Sequence, residues 1–415
     1  MFKSILIFIL SSMFLVSCSH ISLYSMHKNE NAIIERNAKI VAIYDKSIQK
    51  YHYPYKKTAS QTLVSIARTT KNKSLKLTID IELQKYISSL FKDLSGSVIV
   101  MNVDGEILSM SSFPEYDANI FTDGISRKKW KSLVEDPRKP FINKNINNLY
   151  PPGSTIAPAL GLHYISSQKL KKDFHVNCES SFKVGKHTFI CPTKHGYIDV
   201  TKAIREGCND YFYKGAATLG ITDISKTLKR YGLGEQTGID LPREFHGLVP
   251  SKEWKKKKYN KPWYIGETLN TSIGQGELLV TPLQMTQLIA LIATGKLPTP
   301  HLVQKIAVLK DVLNAKELDN LPIIQKAMYE VCNHPKGKLT PYMNSRIKVA
   351  AEQGFSQTMK EKPHSWVVSY APYTKPQYIV TVFIEYDESS GIEGAKIVSK
   401  IYDKLMKLNY IKGEK

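Results

Sequence analysis

This chain of 415 residues is short of acidic residues, has few cysteines, shows no internal repeat, and opens on an apolar run too short to cross a bilayer. That run, Ile5 to Val16 after Met1-Phe2-Lys3, reads as a signal peptide rather than a spanning helix. Without repeats, a stacked array of small units is excluded. Only 37 Asp and Glu stand against 58 Lys and Arg, a formal charge of +21, so any partner chosen by charge would be anionic. The densest clusters, Lys255 to Lys258 and Lys169 to Lys172, come without a nucleic-acid motif. They read as solvated surface, with an anionic envelope surface as the alternative, and nucleic acid is not expected as a partner. Of five cysteines one is Cys18, beside the leader; the other four lie in an exported domain as disulfides, free thiols or metal ligands. What is present is an ordinary 42% of apolar residues, enough for a sizeable core in one large domain plus a small one.

Along the chain, residues 19–74 are polar, rich in Tyr and Lys and without a long apolar period, which predicts a tether with at most one short helix. From Leu75 the pattern becomes strand, helix and hairpin: Leu77-Thr78-Ile79-Asp80, helical spacing from Ile81 to Phe91, then Gly96 to Val103 and Glu106 to Ser112 about an Asp104-Gly105 turn. In Tyr150-Pro151-Pro152-Gly153-Ser154-Thr155-Ile156-Ala157-Pro158 a Pro/Gly loop delivers Ser154 to the positive end of an apolar, helix-patterned run, Ile156 to Ile165. Taken alone, Ser154 is a nucleophile candidate or a helix N-cap. Thr281 and Pro282 form an N-cap and first helical position, and Glu393 to Lys407 is an amphipathic helix.

Two resemblances organise these pieces. Leu15-Val16-Ser17-Cys18 is similar to the lipobox of bacterial lipoproteins, which implies a lipidated Cys18 as mature N-terminus; Ser19, not aspartate, implies the outer membrane where a cell has one. The remainder resembles the class B penicillin-binding transpeptidases, and most closely the elongation-type members that work with the rod-shape machinery. The resemblance rests on Leu77-Thr78-Ile79-Asp80, Pro114-Glu115-Tyr116-Asp117-Ala118-Asn119, Gly234 to Pro242, Pro262 to Thr268, Ser272-Ile273-Gly274-Gln275-Gly276, Thr281 to Met285 and His364-Ser365-Trp366. It implies an α/β fold of the penicillin-binding transpeptidase and serine β-lactamase type: a five-stranded antiparallel sheet flanked by helices, with a mainly helical subdomain carrying Ser154 at its junction. The expected plan is a lipoprotein leader at 1–18, a tether at 19–74 and a transpeptidase-like domain at 75–415, without the pedestal domain the family places before its catalytic domain.

The three motifs of the family cleft are degenerate. In Ser-x-x-Lys the lysine position is Ala157; the second motif reads Gly207-Cys208-Asn209, a glycine for the proton-shuttling serine; and Lys-Thr-Gly-Thr becomes Glu352-Gln353-Gly354-Phe355. Each lost proton-transfer group costs about 10²–10⁴ in rate, and a serine without a base is a weak nucleophile. Glu352 would oppose an anionic substrate terminus, and Phe355 would take the place of a hydroxyl donor. The reading is a membrane-anchored, catalytically inactive transpeptidase-like protein that binds peptidoglycan or cell-wall synthesis proteins. The alternative is an active D,D-transpeptidase or carboxypeptidase with Ser154 as acyl nucleophile and an altered base, Glu352.

Cys178, Cys191, His195 and Cys208 offer three thiolates and an imidazole, a complete tetrahedral zinc set, although spacings of 12, 3 and 12 residues match no zinc finger. The same positions resemble a zinc site of some elongation-type penicillin-binding proteins, which implies structural zinc. A Cys178–Cys191 disulfide is the competing reading, and His187 is expected at the surface.

Overall fold

In the computed structural model the described residues are 32–70, 74–171, 173–357, 362–387, 389 and 391–412. Cys18 and the leader fall outside them.

The hairpin read from Asp104-Gly105 forms one edge of a larger sheet. Strands Ile107–Phe113 and Gly96–Asn102 pair antiparallel, and beyond Gly96–Asn102 the strands Tyr378–Ile384, His364–Ala371 and Ala350–Ser356 follow in that spatial order to complete five. Side chains alternate across a sheet, so each strand serves two layers. One face carries Ser369, whose hydroxyl meets Tyr402 of the terminal helix Ile392–Lys407 at 3.0 Å. The other carries Thr381, bonded at 2.9 Å to Thr286 of helix Pro282–Thr294. That second helix starts on a capping box between Thr281 and Gln284 with proline in its first turn, and nearly all of it is buried. Helices on both faces and a buried core running through the sheet give the expected α/β architecture.

The second layer continues into the mainly helical subdomain. Helix Ala157–Ser166 packs with Val200–Glu206, Asn209–Leu219 and the long Ala315–Asn333, and Arg205 ties two of these together through Glu330 at 2.9 Å. Ala315–Asn333 also lies along the edge strand Ala350–Ser356. The edge strand and the start of helix Ala157–Ser166 are thereby brought face to face.

The tether expected over 19–74 is corrected for residues 32–70. Strands Ala32–Ile34, Ile40–Asp45 and Lys50–His52, with Leu75–Lys76, form a four-stranded sheet, and helix Ser60–Thr70 follows. Its apolar residues occur in twos and threes, too few per strand to read as a period, but they sit against the main domain: Ile33, Val41 and Leu63 are buried, Thr62 donates to Met110 O at 2.9 Å, and Ala59 N donates to Glu115 at 2.8 Å. This segment is a flank of the domain, held by hydrogen bonds to the outer strand Ile107–Phe113 and the chain just after it.

Candidate functional site

The Pro/Gly loop is positioned from three sides. Tyr150 exchanges backbone hydrogen bonds of 2.9 Å with Val280, its hydroxyl donates to Glu385 at 2.7 Å, and the Trp366 indole donates to Pro151 O at 3.1 Å. Gly153 then adopts φ +57, a left-handed conformation that favours glycine, and a Cβ there would lie 2.7 Å from Phe355 N. A Cβ at Gly354 would in turn sit 2.7 Å from Pro152 O. The edge strand therefore rests on the loop, backbone against backbone.

Ser154 lies within a single 3₁₀ turn, Gly153–Ile156, that precedes helix Ala157–Ser166. The helix N-cap reading is corrected by this turn, because the extra residues carry Ser154 into the first coil instead of ahead of it. No side chain caps either element, and Thr155, not Ser154, bonds back, to Pro152 O at 2.6 Å. Ser154 is half-buried, and its hydroxyl has no hydrogen-bond partner among the described residues.

Around it the structure gathers two of the three degenerate motifs. Ser154, Ala157, Gly207 and Asn209 line one cavity with Ser272 and Lys338, and that cavity measures about 10 Å³, the room of a single water. Gly207 ends helix Val200–Glu206 in the left-handed conformation, φ +76, which strains any other residue type. Asn209 opens the next helix and donates to Ile190 O at 3.3 Å.

The third motif arrives differently from its expectation. Glu352 is fully buried and forms an ion pair with Lys338, so it is not an open carboxylate facing substrate or a free base for Ser154. Burial pushes its carboxyl up to about 7, against the pull of the Lys338 ammonium. One of its oxygens, Oε1, takes both Lys338 and the Gln353 amide, and Oε2 is buried without a partner. Strand alternation sends Gln353 and Phe355 to the opposite face: a Cβ at Gly391, beyond the sheet, would run into the Gln353 amide. Phe355 contributes its backbone to the site, with its carbonyl accepting from Gln275 at 2.6 Å, and its ring does not fill a hydroxyl's place as the sequence suggested.

Lys338 was not singled out by the sequence. It is one lysine of many, in a tight turn after helix Ala315–Asn333, and nothing local marks it. Only the fold shows that this turn closes over the end of helix Val200–Glu206, with Lys338 N donating to Arg205 O at 3.4 Å.

Beside the cavity, Cys178, Cys191, His195 and Cys208 come together with their ligand atoms within 4.8 Å of one another. The three cysteines are buried free thiols, so the Cys178–Cys191 disulfide is not formed. Cys178 Sγ and Cys191 Sγ stand 3.5 and 3.4 Å from His195 Nδ1. A tetrahedron with metal–sulfur bonds of about 2.3 Å has edges of about 3.8 Å, so the spread fits one small metal ion. The hydrogen bond from the Cys208 thiol lowers Cys191 and raises Cys208. His187 is exposed, as expected. Cys208 belongs both to this set and to the cavity wall.

A five-stranded antiparallel sheet between helices, with a serine at the head of a buried helix facing the edge strand, is the architecture of a serine transpeptidase domain. Residues 96–407 match the family model described as the penicillin binding protein transpeptidase domain, and the chain belongs to that family. Among curated relatives it is 32% identical over 368 residues to peptidoglycan D,D-transpeptidase MrdA of Haemophilus influenzae, a match covering 80% of this chain and 56% of the relative. Among solved structures it resembles a penicillin-binding protein (PBP2) from Helicobacter pylori, with 40% identity and a TM-score of 0.78 over 82% of this chain and 65% of that one. The same protein in complex with MreC matches at 38% identity and TM-score 0.78, over 83% and 65%. The chain thus spans somewhat over half the length of the curated relative.

Proposed function

We propose that this chain is a non-catalytic member of the transpeptidase family, held at the cell envelope through a lipidated Cys18 and acting by binding within peptidoglycan synthesis. The observation that carries the reading is the cavity beside Ser154. It is lined by Ala157, Gly207 and Asn209, and the Ser154 hydroxyl meets no base among the described residues. The positions where the family keeps an ammonium and a shuttling hydroxyl hold Ala157 and Gly207. Cell-wall synthesis proteins are the proposed partners, in keeping with the similarity to a PBP2 solved in complex with MreC. Zinc is proposed at Cys178, Cys191, His195 and Cys208, where four protein ligands leave no open position; a bound zinc would tie the hairpin of strands Ser181–Val184 and His187–Ile190 to the helix that begins at Asn209.

The test is incubation of the mature protein with a fluorescent penicillin. No covalent label is expected, and an adduct mapped to Ser154 overturns the proposal. The second reading, an active transpeptidase, is favoured by one feature: Lys338 brings an ammonium into the cavity that Ser154 lines. The same experiment separates the two.

A further inference from the structure

The cavity contains an exchange of charges. A lysine is absent from position 157, a serine from 207 and a lysine from 352, yet the site is not left with an uncompensated hole. Lys338, from a turn that belongs to none of the three motifs, reaches into the space. A Cβ on Gly207 would stand 3.8 Å from its Nζ, so the lysine occupies what a larger residue at 207 would need. Its ammonium is neutralised by Glu352 on the facing edge strand. The turn is held firmly: Leu339 N donates to Val331 O at 3.0 Å, and a Cβ on Gly337 would come within 2.6 Å of that same carbonyl. The side chain is only 20% exposed and its carboxylate partner is fully enclosed. Neither charge could be buried here alone, since removing one member of a buried pair leaves the other uncompensated.

We infer that the Lys338–Glu352 ion pair is a built-in plug, which fills the room left by Ala157 and Gly207, fastens the edge strand to the helical subdomain and keeps the space beside Ser154 closed. The pair links strand Ala350–Ser356 to the turn packed on helix Val200–Glu206, across the cavity that Ser154 lines. This inference rests on the non-catalytic reading of the site.

Two measurements on the full mature protein test it. Measured at pH 8, where the Glu352 carboxyl is ionised, Lys338→Met should lower the denaturation midpoint, and adding Glu352→Gln to it should recover much of that loss. Independent, additive losses overturn the plug. For closure, Ser154→Cys provides a thiol whose reaction with iodoacetamide is followed by peptide mapping. Combining it with Lys338→Ala and Glu352→Ala should speed alkylation at position 154 at least tenfold while circular dichroism stays native. An unchanged rate in a folded variant overturns closure. Penicillin labelling of the wild type would defeat the non-catalytic reading even where the coupling is found. Labelling that survives Glu352→Gln but is lost in Lys338→Met would make Lys338 a base and overturn the plug.

Discussion

Glu352→Gln is the substitution whose consequence can be worked out furthest. The carboxyl has an ordinary value of 4.5 and stands at about 7 in the folded protein, raised by burial and partly restrained by Lys338. The sign follows from proton counting. Between these two values the folded state keeps a proton that the unfolded state has released, so stability is fully present below about pH 4.5 and falls as pH rises through 7. The displacement corresponds to about 3 kcal/mol across that window. Glutamine cannot titrate, so the variant should lack this slope. Glu115, half-buried and raised to about 7 by desolvation, adds a slope of the same sign to both proteins. The quantity to measure is therefore the difference between wild type and variant, from urea denaturation at pH 4.5, 5.5, 6.5 and 7.5. That difference should move by about 3 kcal/mol in favour of the variant from the lowest pH to the highest. Superimposable pH profiles for the two proteins would refute the burial and pairing of Glu352.

Other outcomes are expected with less calculation. Ser154→Ala removes a hydroxyl that caps nothing and should change stability by less than about 0.5 kcal/mol, read from the denaturation midpoint. Gly354→Ala forces a Cβ to 2.7 Å from Pro152 O and should cost about 1–3 kcal/mol, with the loop and edge strand separating first in hydrogen exchange. Metal analysis of the purified protein should find about one zinc per chain, and Cys191→Ser should lose it together with several degrees of thermal midpoint; an equally stable, metal-free wild type would dispose of the zinc. Cys18→Ala should abolish fatty-acid labelling in the native cell.

The fold was legible where local chemistry and tertiary structure agree. Asp104-Gly105 between two apolar runs can hardly be anything but a hairpin, and Thr281-Pro282 followed by twelve further helical residues marks a buried helix without outside help. Residues 32–70 were not legible. Strands of three and six residues, half covered by a neighbouring layer, need only a few apolar side chains each, and their register is supplied by the partner strands. The four-residue metal set was legible as a composition; that its atoms converge is a property of the hairpin Ser181–Ile190 and the helix start at Asn209, which no spacing rule contains.

The site itself was half legible, for a physical reason. Sequence motifs report which residue occupies a known position, so they show that Ala157, Gly207 and Glu352 stand where other side chains are expected. They cannot report what has moved in. A cavity of this kind is filled by whichever side chain reaches it, and the reach belongs to the fold: Lys338 lies 181 residues beyond Ala157 in the chain and 131 beyond Gly207, in a turn fixed by the end of a helix. Glu352 read alone is a carboxylate opposing an anionic substrate. Glu352 with Lys338 is a buried pair directed inward, so the carboxylate expected from the sequence to oppose a substrate is engaged by an ammonium. The two descriptions differ in what would reopen the site. A repulsive cleft would admit substrate after the single change Glu352→Gln, whereas a plugged one leaves Lys338 in place after that change and stays shut until both side chains are removed.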